Sequence, residues 1–212
     1  MSFHLPKIYP ITDTALSSLS HTEQVKRLVA GGATLIQLRE KNNSGCAFYA
    51  DAADAIRIAR LTGANVIIND RIDVALALGA DGVHLGQTDM PVTAARCLLG
   101  DDSIIGFSTH NIEQVKAALN LPIDYLAFGP IFPTQSKRNP DPVAGLDALG
   151  LIKSINGRLP VVAIGGIDKS NVVEALSAGA DSAAIISAIV ADATQITKNV
   201  RDFLTLSATQ QR

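Results

Sequence analysis

The segment Val66-Ile67-Ile68-Asn69-Asp70, then Arg71 to Ala80, then Asp81-Gly82-Val83-His84-Leu85-Gly86-Gln87-Thr88-Asp89, decides how the rest of the chain is read. Two short apolar, β-branched runs each end abruptly in polar residues, with one helical stretch between them. That order makes a βαβ unit. A helical crossover forces its strands parallel, so both carboxy-terminal ends emerge on one side of the sheet. Asp70 and Asp89 therefore face a common space, with Asn69, His84 and Gln87 beside them, and such a set can hold a hard cation through oxygen ligands. Helix capping is the competing explanation for a strand-end aspartate. Asp73 suits that duty better, because it directly precedes the helical run Val74 to Leu78, and Asp70 is left without an evident structural task.

Working outward, the same alternation continues in both directions. Ile8 to Thr12 reads as the first strand and Leu35 to Arg39 as the second, with helical spacing over Thr22 to Ala30 between them and Gly31-Gly32 as the stop. A long alanine-rich helical segment, Cys46 to Leu61, leads to the strand at Val66. Beyond Asp89, Pro91 opens a helix that runs to Leu99. Ile104 to Ser108, Tyr125 to Phe128, Val161 to Ile164 and Ala183 to Ile186 read as strands, and the helices are Asn111 to Leu119, Leu146 to Ile155, Asn171 to Ser177 and about Thr194 to Leu206. An internal echo supports the count: Gly32-Ala33-Thr34, Gly79-Ala80-Asp81 and Gly179-Ala180-Asp181 each end a helix just before an apolar strand. Eight such units predict a closed (β/α)8 barrel, an α/β fold of the TIM type, as one domain over residues 1–212 with a short polar tail from about 207. A doubly wound open sheet is the runner-up. It would carry a glycine-rich loop after its first strand, and Thr12-Asp13-Thr14-Ala15 is not one.

Composition agrees. Apolar residues make up 47% of the chain and aromatics only 4%, which suits parallel strands covered by helices. A net charge of −2 offers no basic face for nucleic acid. No segment approaches membrane-spanning length, and the amino terminus lacks a charged stretch followed by a long apolar one, so a cytoplasmic protein is expected. Cys46 and Cys97 are expected to be buried or idle thiols. Nothing in the sequence selects between a monomer and a homo-oligomer.

In such a barrel the site lies at the carboxy-terminal ends of the strands, so the polar residues there are the candidates. Alternation turns Gln37, Arg39 and Lys41 toward the barrel mouth and Leu38 and Glu40 away from it. Asn69, Asp70, His84, Gln87, Asp89, Ser108 and His110 follow at the next three strand ends. The loop from Gly129 to Pro142 is the longest irregular stretch and supplies Thr134, Ser136 and Lys137. Gly165-Gly166, after the seventh strand, and Ile186-Ser187, at the end of the eighth, occupy the usual phosphate position of these barrels, although a tight turn explains paired glycines equally well. Arg39, Lys41 and Lys137 with a divalent metal outweigh Asp70 and Asp89, and a diphosphate ester offsets the surplus. The residues alone thus point to a metal-assisted enzyme with one diphosphate and one monophosphate substrate.

Ile8-Tyr9-Pro10-Ile11-Thr12-Asp13, Gln37-Leu38-Arg39-Glu40-Lys41, Asn69-Asp70, His84 to Asp89, Ser108-Thr109-His110, Gly129 to Thr134 with Lys137, and Ile164-Gly165-Gly166-Ile167 together resemble the thiamin-phosphate synthase family, also called thiamin-phosphate diphosphorylases. The resemblance implies a transferase that joins an aminopyrimidine methyl diphosphate to a thiazole ethyl phosphate, releasing diphosphate. It implies Mg²⁺ as cofactor on Asp70 and Asp89, and Arg39, Lys41, Asn69, Ser108 and Lys137 on the diphosphate, of which Arg39, Ser108 and Lys137 are expected to be catalytic. It also implies Gln37 and His84 beside the pyrimidine, Thr134, Gly166 and Ser187 at the thiazole phosphate with Ile186 near it, and Ser136 where the family often has Thr.

Two other classes compete. A metal-free thiazole tautomerase of the same superfamily, using a histidine at the position of His110, generally lacks the acidic pair present here. A non-catalytic phosphate-binding barrel would have lost some of the cations or carboxylates, and none is missing.

Overall fold

The structure, a computed structural model, describes residues 5–134, 141–155, 157 and 159–208. Its strands are β1 (Ile8–Asp13), β2 (Leu35–Arg39), β3 (Asn65–Asn69), β4 (Gly82–Leu85), β5 (Ile104–Thr109), β6 (Tyr125–Phe128), β7 (Val161–Ile164) and β8 (Ser182–Ile185). They pair in chain order, all parallel, and β8 closes onto β1. The helices are α1 (Thr14–Ser17), α2 (His21–Gly31), α3 (Gly45–Leu61), α4 (Ile72–Leu78), α5 (Val92–Leu99), α6 (Ile112–Ala118), α7 (Gly145–Ile155), α8 (Val172–Ser177), α9 (Ser187–Val190) and α10 (Ile196–Ala208). This is a single-domain (β/α)8 barrel, as the alternation of patterns predicts.

Parity along the strands sorts the side chains into two cores. Ile36, Leu38, Val66, Ile68, Val83, Leu85, Ile105 and Leu126 point outward and bury against the helices. Tyr9, Ile11, Leu35, Ile67, Ile104, Tyr125, Val162 and Ala184 point inward and fill the barrel. The inward parity, continued to the strand ends, carries Gln37, Arg39, Asn69, His84 and Ser108 to the open mouth.

At the opposite end the echoed Gly-Ala-Asp triplets have a definite task. Asp81 donates its backbone N–H to the Val66 carbonyl, and its carboxylate accepts the Val66 N–H at 2.7 Å. Asp181 does the same for Val161, and Asp124 for Ile105. Each carboxylate thus satisfies a backbone donor at the first or second residue of the preceding strand.

Several expectations change. α4 starts before Asp73, so that residue sits in the first helical turn and pairs with Arg71 instead of capping. Its charge still favours the helix start. Cys46 and Cys97 are exposed, because they fall on the solvent-facing sides of α3 and α5. The one-turn helices α1 and α9 are additional to the expected eight and too short to leave a periodic pattern. The last helix continues through Ala208, past the point expected for the tail. No helix among the described residues is long and apolar enough to cross a membrane.

Candidate active site

A cavity of about 510 Å³ opens at the carboxy-terminal ends of the strands. Gln37, Arg39, Lys41, Asn69, Asp70, His84, Asp89, Ser108, Thr134, Gly166, Ile186 and Ser187 all line it. Ser136 and Lys137 lie outside the described residues.

The cationic side is built by β2. Arg39 donates to the Asp13 carboxylate at 2.6 Å, and Lys41 pairs with Asp70. Glu40, of opposite parity, turns away and anchors the following loop. Burial pushes its carboxyl up, but the N–H groups of Asn42 and Asn43, the Asn43 amide and the Thr14 hydroxyl outweigh that and hold it at about 2. Glu40 also meets the buried His21 imidazole, which burial keeps below its ordinary pKa, and the other ring nitrogen of His21 lies 2.7 Å from the Thr12 hydroxyl. The arm that carries Lys41 is therefore fixed at its root.

Asp70 follows β3 with φ +61, a backbone region rare for residues other than glycine, and its N–H is tied to the His84 carbonyl at 2.9 Å. Strain of this kind is held where surrounding structure over-determines it. After β4 the chain doubles back, so that the Asp89 carboxylate accepts the Gly86 N–H at 2.7 Å. The Asp70 and Asp89 carboxyls lie within hydrogen-bonding reach of each other. Burial raises the Asp89 pKa and the neighbouring Asp70 raises it further, against the Gly86 N–H and Lys41. Two crowded carboxylates suit a small divalent cation. Among the described residues no group of three or more His, Cys, Asp or Glu gathers in a metal-holding cluster.

His84 is buried, and burial pushes its pKa down to about 4 despite the Asp89 charge, so the ring is neutral at ordinary pH. Its Nδ1 lies 2.9 Å from the Tyr125 hydroxyl and its Nε2 2.8 Å from that of Ser108. His110 donates from Nδ1 to the Gly129 carbonyl at 2.7 Å and sits 3.6 Å from Asp141.

The far arc comes from β7 and β8. Gly165 and Gly166 have φ +97 and +67. A Cβ at Gly166 would lie 2.4 Å from the Pro133 carbonyl oxygen, so the turn passes directly under the loop after β6. Asn171 holds that turn by donating to the Gly166 carbonyl at 3.0 Å. Asp13, Asn171, Tyr9 and Tyr125 support the site but were not singled out by sequence. Inward parity on β1 and β6 is the signal that finds the two tyrosines, whereas Asn171 leaves none.

A family model described as thiamine monophosphate synthase matches residues 8–189. The chain is 41% identical over 209 residues to the thiamine-phosphate synthase of Chloroflexus aurantiacus, covering 97% of this chain and 95% of that protein. It is 44% identical over 200 residues to the one of Methanocella arvoryzae, covering 92% of each. The solved structure of thiamine phosphate pyrophosphorylase from Pyrococcus furiosus superposes with a TM-score of 0.86 at 36% identity, covering 96% of both chains.

Proposed function

The chain belongs to the thiamine monophosphate synthase family, and from that premise we infer that it joins an aminopyrimidine methyl diphosphate to a thiazole ethyl phosphate, giving thiamin monophosphate and diphosphate. It is a transferase. In the reaction the bond between the pyrimidine methylene carbon and the diphosphate oxygen breaks, and the thiazole nitrogen bonds to that carbon. No protein nucleophile is required.

The observation that carries the assignment of ends is the meeting of Asp70 and Asp89 beside Lys41 and Arg39 on one arc of the cavity, with Gly166 and Ser187 on another. Asp70 and Asp89 would hold Mg²⁺, which when bound supplies positive charge against the departing diphosphate. Arg39, Lys41, Asn69, Ser108 and Lys137 bind the same group, the cations by charge and Ser108 by its hydroxyl. Gln37 and His84 orient the pyrimidine. A neutral His84 places no repelling charge next to the cation that develops on the methylene carbon. Thr134, Gly166 and Ser187 take the thiazole phosphate end, with Ile186 near it, and Ser136 is a further substrate-binding residue. The same reading makes the enzyme cytoplasmic, with small molecules as its partners. Diphosphate release measured with both substrates, then with either omitted, tests it: release must require both and must rise with Mg²⁺.

A further inference from the structure

Five side chains are joined across the barrel by hydrogen bonds, with Gln37 reaching both tyrosine hydroxyls at one end. The Gln37 amide nitrogen donates to the Tyr9 hydroxyl at 3.2 Å, and the Tyr9 and Tyr125 oxygens are 3.1 Å apart. The Tyr125 oxygen is 2.9 Å from His84 Nδ1, and His84 Nε2 is 2.8 Å from Ser108 Oγ. Each tyrosine hydroxyl has a single proton, and a neutral imidazole has one donor and one acceptor. Tyr9 accepts from Gln37 and has Tyr125 as its other side-chain partner among the described residues, so its proton goes to Tyr125, whose hydroxyl oxygen accepts from Gln37 as well. The Tyr125 proton then goes to His84 Nδ1, and His84 must carry its own proton on Nε2 and donate it to Ser108. That leaves the Ser108 proton free to point into the cavity.

We propose that Tyr125 is a positioning residue: driven from Gln37 through Tyr9, it fixes His84 in the Nε2–H form and so makes Ser108 an obligate donor to the substrate diphosphate. With the opposite polarity Ser108 would spend its proton on His84 and present only lone pairs to an anion. The seat of Tyr125 is built for this contact. Gly106 lies beneath its ring, and a Cβ there would fall 2.0 Å from Cζ and 2.3 Å from the hydroxyl oxygen. The Tyr9 ring meets the Tyr125 ring edge-on, at 83°, which holds the two hydroxyls together.

The role of Ser108 rests on the function proposed above, but the polarity of the line does not. Nitrogen NMR on ligand-free protein labelled at its histidines, with His84 assigned by loss of its signal in His84→Asn, reads the tautomer directly. A protonated Nε2 and an unprotonated Nδ1 are expected, and a protonated Nδ1 overturns the proposal whatever the reaction turns out to be. Tyr125→Phe, which removes only the hydroxyl, should let the Nδ1–H form appear. It should also weaken binding of inorganic diphosphate with Mg²⁺ roughly ten-fold while leaving thiazole phosphate binding unchanged. Unchanged diphosphate affinity in that variant would likewise overturn it.

Discussion

Lys41 and Asp70 form an ion pair across the mouth of the barrel, joining the end of the β2 arm to the end of β3. Each therefore neutralises the other, and on the proposed function a cation at Asp70 would release Lys41 to meet a phosphate oxygen. Lys41→Ala should raise the KM for the pyrimidine diphosphate, or lower its turnover, roughly ten-fold or more, with the thiazole phosphate KM little changed. Ser187→Ala should do the reverse. Steady-state kinetics with each substrate varied in turn checks both, and equal shifts in the two KM values would remove the case for separate arcs.

Gly166 is a poorer probe of the thiazole end than its position suggests. Its φ of +67 and the 2.4 Å approach of an added Cβ to the Pro133 carbonyl mean that any side chain displaces the loop after β6. Gly166→Ala is expected to lower the melting temperature and to disturb both KM values together. A clean, selective effect on one substrate would show that the loop yields without consequence.

Stability should depend on pH through His84. Unfolded, it titrates near ~6.5; folded, its pKa is down at about 4, so between those values the unfolded state binds the extra proton. Stability is accordingly lost as pH falls from ~6.5 toward ~4, by about 3 kcal/mol at most from this residue. The buried His21 acts in the same direction. Melting temperatures of the wild type and His84→Asn compared across that range should converge as pH drops, and a constant gap would argue against a buried neutral imidazole.

Ser182, at the foot of β8, is fully buried and its hydroxyl has no hydrogen-bond partner among the described residues. Ser182→Ala removes that desolvated group and should stabilise the protein by ~1 kcal/mol. Denaturant unfolding is the check, and a loss of stability would mean that the hydroxyl is satisfied in solution.

Much of this molecule is legible in its sequence because parallel strands and their crossovers leave local marks. The apolar runs at Leu35, Tyr125 and Val161 end where the strands end, and the Gly-Ala-Asp echo marks a hydrogen bond repeated around the ring. Once the fold is read, Gln37, Asn69, Asp70, His84 and Asp89 follow from strand-end position alone. What escapes the sequence depends on contacts between distant residues. Tyr9 and Tyr125 stand in the sequence only as strand residues, and their hydroxyls meet across 116 positions. The Arg39–Asp13 pair and the grip of Asn171 on the Gly166 turn are of the same kind. Asp73 misleads because a helix start is set by backbone pairing that a capping pattern reproduces only to within a turn.

The acidic pair is the centre of the account, and Asp89→Asn tests it most directly, because the substitution keeps the size of the side chain and one oxygen ligand while removing a charge. Diphosphate release from the two substrates should be followed over a Mg²⁺ titration, with the melting temperature as a check on folding. The variant should stay folded and turn over ~10²-fold or more slowly than the wild type, with excess Mg²⁺ recovering only part of the loss. Full activity of Asp89→Asn at low Mg²⁺ would contradict the metal role of Asp70 and Asp89.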